Sequence, residues 1–107
     1  MDLGGCSAGE PFALQVTDNS MEPEFKKGNV IIIDPTGLAS HGAYVLAMVE
    51  NGYIFRQFII EGDKHYLQPL HDDYIHEKRE ITIDDIHGVI VQQSGPKGRR
   101  DERKRYD

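Results

Sequence analysis

The chain has 107 residues and a formal net charge of −6, the length of one ordinary domain, which excludes a catalytic domain joined to a separate cofactor fold. Hydrophobic residues make up 38%, charged residues 28% and aromatic residues 8%, globular values that exclude global disorder and supply one modest core. No stretch reaches the roughly 18 to 20 apolar residues of a membrane helix, and the opening MDLGGCSAGE lacks the basic start and apolar run of a signal peptide. The single Cys6 excludes an internal disulfide, and a cytoplasmic, non-membrane protein is expected.

In chain order, residues 1–11 read as a flexible arm, 12–93 as a folded domain and 94–107 as a basic disordered tail. The tail carries six cations and three anions, net +3, which leaves the preceding 93 residues at −9. An acidic body disfavours nucleic acid, so weak contact through the tail is the only such contact expected.

The body is patterned as β structure. Phe12–Thr17 and Asn29–Asp34 are short runs rich in β formers, the second nearly continuous in Val and Ile as in a strand buried on both faces. Ala43–Glu50 and Tyr53–Ile60 flank Asn51-Gly52, a two-residue hairpin signal. Pairing Glu50 with Tyr53 sets Arg56 opposite Ala47 and on one face with Ile54, Phe58 and Ile60, so a cation points into an apolar face. A second hairpin turns at Gly62-Asp63 and returns over His65–Leu70, where Pro69 implies an edge strand or bulge. Ile81–Gln93 supplies one or two more strands, with a bend at Gly88.

One segment departs from this pattern. Asp18-Asn19-Ser20-Met21-Glu22-Pro23-Glu24-Phe25-Lys26-Lys27-Gly28 has capping residues and acids early, lysines late and a closing Gly, which predicts a one- or two-turn helix. Ser20 sits at its mouth. A serine there is either an ordinary N-cap or a nucleophile beside backbone N–H groups that stabilise an oxyanion.

These residues, with Gly28-Asn29-Val30-Ile31 and Asp34-Pro35 behind them, resemble the nucleophile box of the LexA, UmuD and phage-repressor serine peptidases, distant relatives of bacterial signal peptidases. Gly42–Ala47, Tyr53–Phe58, Leu67–Leu70 and His87–Ile90 follow in the same order, so the resemblance covers about residues 12–93. It implies a mostly β, LexA-like fold of twisted antiparallel sheets and hairpins, with one short helix after the nucleophile strand, in a protein of bacterial or phage type. It also implies Ser20 as nucleophile, the Met21 backbone N–H at the oxyanion, substrate contacts at Asp18, Asn19, Pro23 and Ala47, and a homodimer. The family's general base is a lysine in the strand after the hairpin. Here that position reads Arg56.

The substitution changes the chemistry. Deprotonating a lysine of reference pKa about 10.4 at pH 7 costs about 4.6 kcal/mol, which burial can largely remove, whereas an arginine near 13.8 costs roughly 9 kcal/mol and stays protonated. Lys26, Lys27 and Lys78 lie in exposed or polar stretches, and Lys64 sits at a hairpin tip about 26 Å along the strand from Arg56. His41 is the remaining alternative base. Cys6-Ser7-Ala8-Gly9-Glu10-Pro11 resembles the bond LexA-like proteins cut in themselves, but Gly9 precedes Ser20 by only 11 residues, most of them extended, so cleavage within one chain is not expected. His71-Asp72-Asp73 and His76 match no metal-site spacing and no phosphate loop is present, so neither metal nor cofactor is expected. The 107 residues hold no helix-turn-helix pattern.

The expected function is a hydrolytically impaired peptidase-family domain that binds a peptide or protein partner or dimerises, in stress or repressor-type regulation. The alternative is an active serine endopeptidase whose base is not Arg56.

Overall fold

The computed structural model describes residues 9–50, 52–96 and 103–106. Eight strands form one antiparallel sheet: β1 (Phe12–Gln15), β2 (Val30–Asp34), β3 (Tyr44–Val49), β4 (Gly52–Glu61), β5 (Lys64–Gln68), β6 (Arg79–Ile81), β7 (Ile86–Ser94) and β8 (Lys104–Arg105). The order is β1-β2-β7-β3-β4-β5-β6, with β8 also on β7. Two 3-10 turns, Asp72–Glu77 and Ile83–Asp85, flank β6. Among the described residues no helix is long and apolar enough to cross a membrane.

Two apolar clusters hold the sheet. Met21 and Phe25, from the segment after β1, pack with Ile31, Ile33, Leu46 and Ile90; Val45, Ala47, Phe58, Leu67 and Ile81 form the other cluster. The alternation along β3 explains the division, since Val45 and Ala47 point one way and Leu46 the other.

The β3–β4 register differs from the expected one by two. Val49 pairs with Gly52, so Arg56 lies opposite Val45 rather than Ala47. An even shift leaves every side chain on its face, and Arg56 remains buried on the face of Ile54 and Phe58. Asn51 lies outside the described residues. β5 is an interior strand between β4 and β6, and it ends at Gln68 before Pro69, so the proline costs no ladder bond. β7 is continuous through Gly88, and its pairing with β3 shifts right beside it, between Leu46↔Gly88 and Ala47↔Ile86, a bulge where the bend was expected. Gly88 is there for close approach: a Cβ at that position would meet Ile33 Cγ2 at 2.3 Å.

The helix expected over 18–28 is instead a succession of turns, with one helical bond from Phe25 N–H to Met21 O, 2.9 Å. Pro23 provides the reason: it has no N–H and disfavours helical geometry at the preceding Glu22.

The reading of 94–107 as a disordered tail does not hold for the residues described. Ser94 closes β7, Gln92 and Gln93 pair with Arg105 and Lys104, and Tyr106 packs against Phe25 and Tyr44, with ring centroids 5.2 and 5.4 Å away. Residues 97–102 and 107, and the arm over residues 1–8, lie outside the described residues. Tyr106 is what docks the return strand. Its hydroxyl donates to Glu24 Oε2 and accepts from Gln93 Nε2 at 2.8 Å, while Lys104 Nζ donates to the same Glu24 oxygen at 2.6 Å. Burial, then the bond to Glu24, pushes the Tyr106 hydroxyl well above the usual tyrosine value. Burial also works to raise the Glu24 carboxyl, but hydrogen bonds from Lys104 and Tyr106 outweigh it and hold that carboxyl below its ordinary value. Tyr106→Ala is expected to cost about 2 kcal/mol, roughly 8 to 15 °C in Tm for a domain of this size. A melt unchanged to within about 2 °C would show that β8 adds nothing to the fold.

Candidate functional site

Ser20 lies five residues beyond the end of β1 and is fully buried. Its carbonyl accepts from the backbone N–H groups of Leu70 (3.0 Å) and His71 (2.9 Å), which fixes the segment against the chain leaving β5. Asp18 Oδ1 accepts both the Ser20 backbone N–H (3.1 Å) and the Ser20 hydroxyl (2.7 Å), the local side-chain bonding expected of an Asp two residues upstream. The third partner comes from β4: Arg56 Nη1 donates to Ser20 Oγ at 2.7 Å. The hydroxyl thus donates to the Asp18 carboxylate and accepts from a cation.

Arg56 is 5% exposed, so its charge needs an answer within the protein. Its Nη2 contacts Glu77 Oε1 at 2.7 Å, and Nη1 also donates to the Phe55 carbonyl at 2.8 Å. Its Nε has no acceptor among the described residues. A chain of contacts therefore runs from Asp18 through Ser20 and Arg56 to Glu77.

A groove of about 580 Å3 opens beside this chain. β1 and its continuation (Leu14 to Asp18) form one wall, and Val49, Tyr53, Phe55 and Arg56 of the β3–β4 hairpin form the other. Leu14 and Tyr53, which line it, are 39 and 58% exposed, so the groove has an apolar rim. Arg79 of β6 grips Glu50 at the hairpin end through two contacts, 2.8 and 3.0 Å, and both residues line the groove.

The structure brings Ser20, Asp18 and Arg56 together. Met21 follows in the backbone, but its side chain belongs to the core. Asn19 is exposed, and its carbonyl accepts from Glu22 N–H at 3.1 Å. Pro23 does not line the groove; it borders a separate depression with Lys26 and Lys27. Ala47 is fully buried in the second apolar cluster, because strand alternation turns it into the core. His41 Nδ1 accepts from Ile60 N–H at 2.9 Å, so its ring is engaged away from Ser20. Lys64 lies 3.9 Å from Glu80 and Lys78 2.9 Å from Glu61, while Lys26 and Lys27 are exposed. Gly9 sits by Thr36, near the β1 end that pairs with Ile33 and away from Ser20. His71 caps the first 3-10 turn by accepting Asp73 N–H at 3.1 Å, a structural use for the His-Asp-Asp stretch. Among the described residues no three His, Cys, Asp or Glu side chains cluster as metal ligands would.

Sequence reasoning missed Glu77 and the Arg79–Glu50 grip. The available signal was Arg56 itself, since a cation aimed into an apolar face requires a carboxylate from elsewhere.

These features define a β domain with a buried serine hydroxyl held between a carboxylate and a guanidinium, and a groove beside it. The Peptidase S24-like family model matches residues 5–91, and the chain belongs to that family. The chain is similar to the HTH-type transcriptional regulator for conjugative element R391 of Providencia rettgeri, 40% identical over 70 residues that cover 59% of this chain and 33% of the relative. The regulator for conjugative element SXT of Vibrio cholerae gives the same values. The LexA repressor of Clostridium acetobutylicum is 39% identical over 59 residues, 54% of this chain and 29% of that protein. The chain thus spans about a third of the length of the curated relatives it matches.

The Arg79–Glu50 grip generates a pH prediction. Hydrogen bonding from Arg79, then Glu50's own backbone N–H, lowers the Glu50 carboxyl from 4.5 to about 2. A lowered folded-state value gives stability that is full above the unfolded value and is lost as pH falls through the folded one. Glu50→Gln should therefore lower Tm at neutral pH, and the gap to the parent should close between pH 4.5 and about 2. A gap constant over that window would show that the pair does not titrate with folding.

Proposed function

We propose that this chain is a hydrolytically impaired S24-type domain that uses the groove beside Ser20 to hold an extended peptide segment. The observation that carries this reading is the 2.7 Å contact from Arg56 Nη1 to Ser20 Oγ. A serine nucleophile needs a group that takes its proton, ideally one whose pKa lies near the working pH. A guanidinium has no acceptor site and remains protonated. Asp18 accepts the hydroxyl proton, but a carboxylate is a weak base at neutral pH. Both neighbours hold Ser20 in place, and neither activates it.

The groove fits an extended peptide. Among the described residues β1 pairs with β2 on one side only, which leaves its other edge as one to which a strand can add. The names of the relatives support a role in transcriptional regulation, and a homodimer in which one copy's groove holds a segment of the other is the form proposed for it. A second reading, residual endopeptidase activity, is favoured by one observation only, the bond from the Ser20 hydroxyl to Asp18. It makes Asp18 the proton acceptor.

Near neutral pH, Ser20 is expected to resist a serine-directed phosphonate. Stoichiometric labelling at Ser20, abolished by Asp18→Asn, would instead establish the second reading. Arg56→Lys is expected to restore hydrolysis of a peptide or of the chain itself, because burial beside Ile54 and Phe58 favours the neutral amine that can take the Ser20 proton, while the Glu77 carboxylate pulls the other way. The gain should rise with pH and vanish with Ser20→Ala. It should also be partial, since displacement of a reacting group by about 1 Å costs on the order of a hundredfold. Parent activity equal to that of the lysine variant would refute impairment.

A further inference from the structure

The cations of this chain are not distributed like its anions. Arg56, Lys64, Lys78, Arg79 and Lys104 each face a carboxylate within 4.0 Å. Lys26 and Lys27 are exposed and, among the described residues, take part in no ion pair. Both border a depression of about 410 Å3 whose wall also includes Asn29, Gln93 and Lys104. The anion in this wall, Glu24, is already bound by Lys104 and Tyr106. Three lysines against one satisfied carboxylate leave the depression net positive. β8 continues the charge, since Arg103 and Arg105 flank Lys104 and all three are exposed.

We infer that this depression, walled by Lys26, Lys27 and Lys104 and continued by Arg103 and Arg105, is a docking face for the phosphate backbone of a nucleic-acid duplex. The argument is independent of the groove and of any hydrolysis. A duplex carries one negative charge per roughly 1.7 Å of axis, enough to engage several cations spread along one face. The chain as a whole carries −6, so a duplex is repelled by the rest of the body and held at this face. That geometry predicts weak, steeply salt-dependent and sequence-independent binding, with phosphate contacts and no base readout. The expectation that contact comes through the tail alone is thereby extended: the folded lysines of the segment after β1 share the face with β8.

The test is fluorescence anisotropy of a labelled duplex of about 20 base pairs titrated with the full chain. With three to four phosphates engaged, affinity should fall about 40- to 150-fold between 50 and 200 mM salt. Lys26→Glu/Lys27→Glu should weaken binding at least about tenfold at the lower salt and reduce the log–log salt slope by about 2. Both residues are exposed and outside any ion pair, so the variant should melt like the parent. Lys64→Glu, at the β4–β5 hairpin, should leave affinity within about twofold. No anisotropy change at 50 mM salt with about 200 µM protein would overturn the inference, as would binding indifferent to Lys26→Glu/Lys27→Glu. Tighter binding to phosphatidylserine vesicles or to polyglutamate than to the duplex would overturn it too.

Discussion

A buried guanidinium organises this domain. Arg56 leaves the middle of β4, reaches the Ser20 hydroxyl with one nitrogen and the Glu77 carboxylate with another, and so joins three segments distant in the chain. A cation that is 5% exposed is tolerable only with such partners, because removing either leaves charge or a polar group without an answer. The turn-rich segment after β1, the strand after the hairpin and the first 3-10 turn are therefore placed by one side chain.

The same turn-rich segment is held from its other end. Phe25 sits among Tyr44, Phe55 and Tyr106, with the rings of Tyr44 and Phe55 edge-on at 4.7 and 4.8 Å. Glu24 receives Lys104 and Tyr106, and Gln93 Nε2 donates to the Glu24 carbonyl at 3.0 Å. Ser20 is thus fixed by polar contacts at its own position and by packing four or five residues later. A preorganised nucleophile position usually serves catalysis. Here the same fixed geometry gives the groove a rigid wall.

Membership of the S24-like family and the geometry beside Ser20 lead to different levels of conclusion. Family membership speaks to the fold. The proposed lack of hydrolysis rests instead on position 56, because lysine and arginine differ by about 3.4 units in reference pKa. A fold in common does not settle a reaction; the site does.

The strands were legible in the sequence because their signals are local. Val and Ile runs, Gly62-Asp63 and the nucleophile box each lie within a few residues, and parity along β4 placed Arg56 on its apolar face even though the register was off by two. The sequence alone determined that Ser20 begins a turn after a strand and that residue 56 is an arginine. It could not assign Glu77 to Arg56, bury Ala47 away from the groove or return Tyr106 to Phe25. The first and last of these join residues 21 and 81 positions apart, and the burial of Ala47 depends on how the sheet covers its faces. The tail illustrates the limit: its composition reads as disordered, yet one aromatic residue found a cluster of rings and a carboxylate already in place. Local propensity fixes elements, but only closure of the whole sheet decides which distant charge or ring each of them meets.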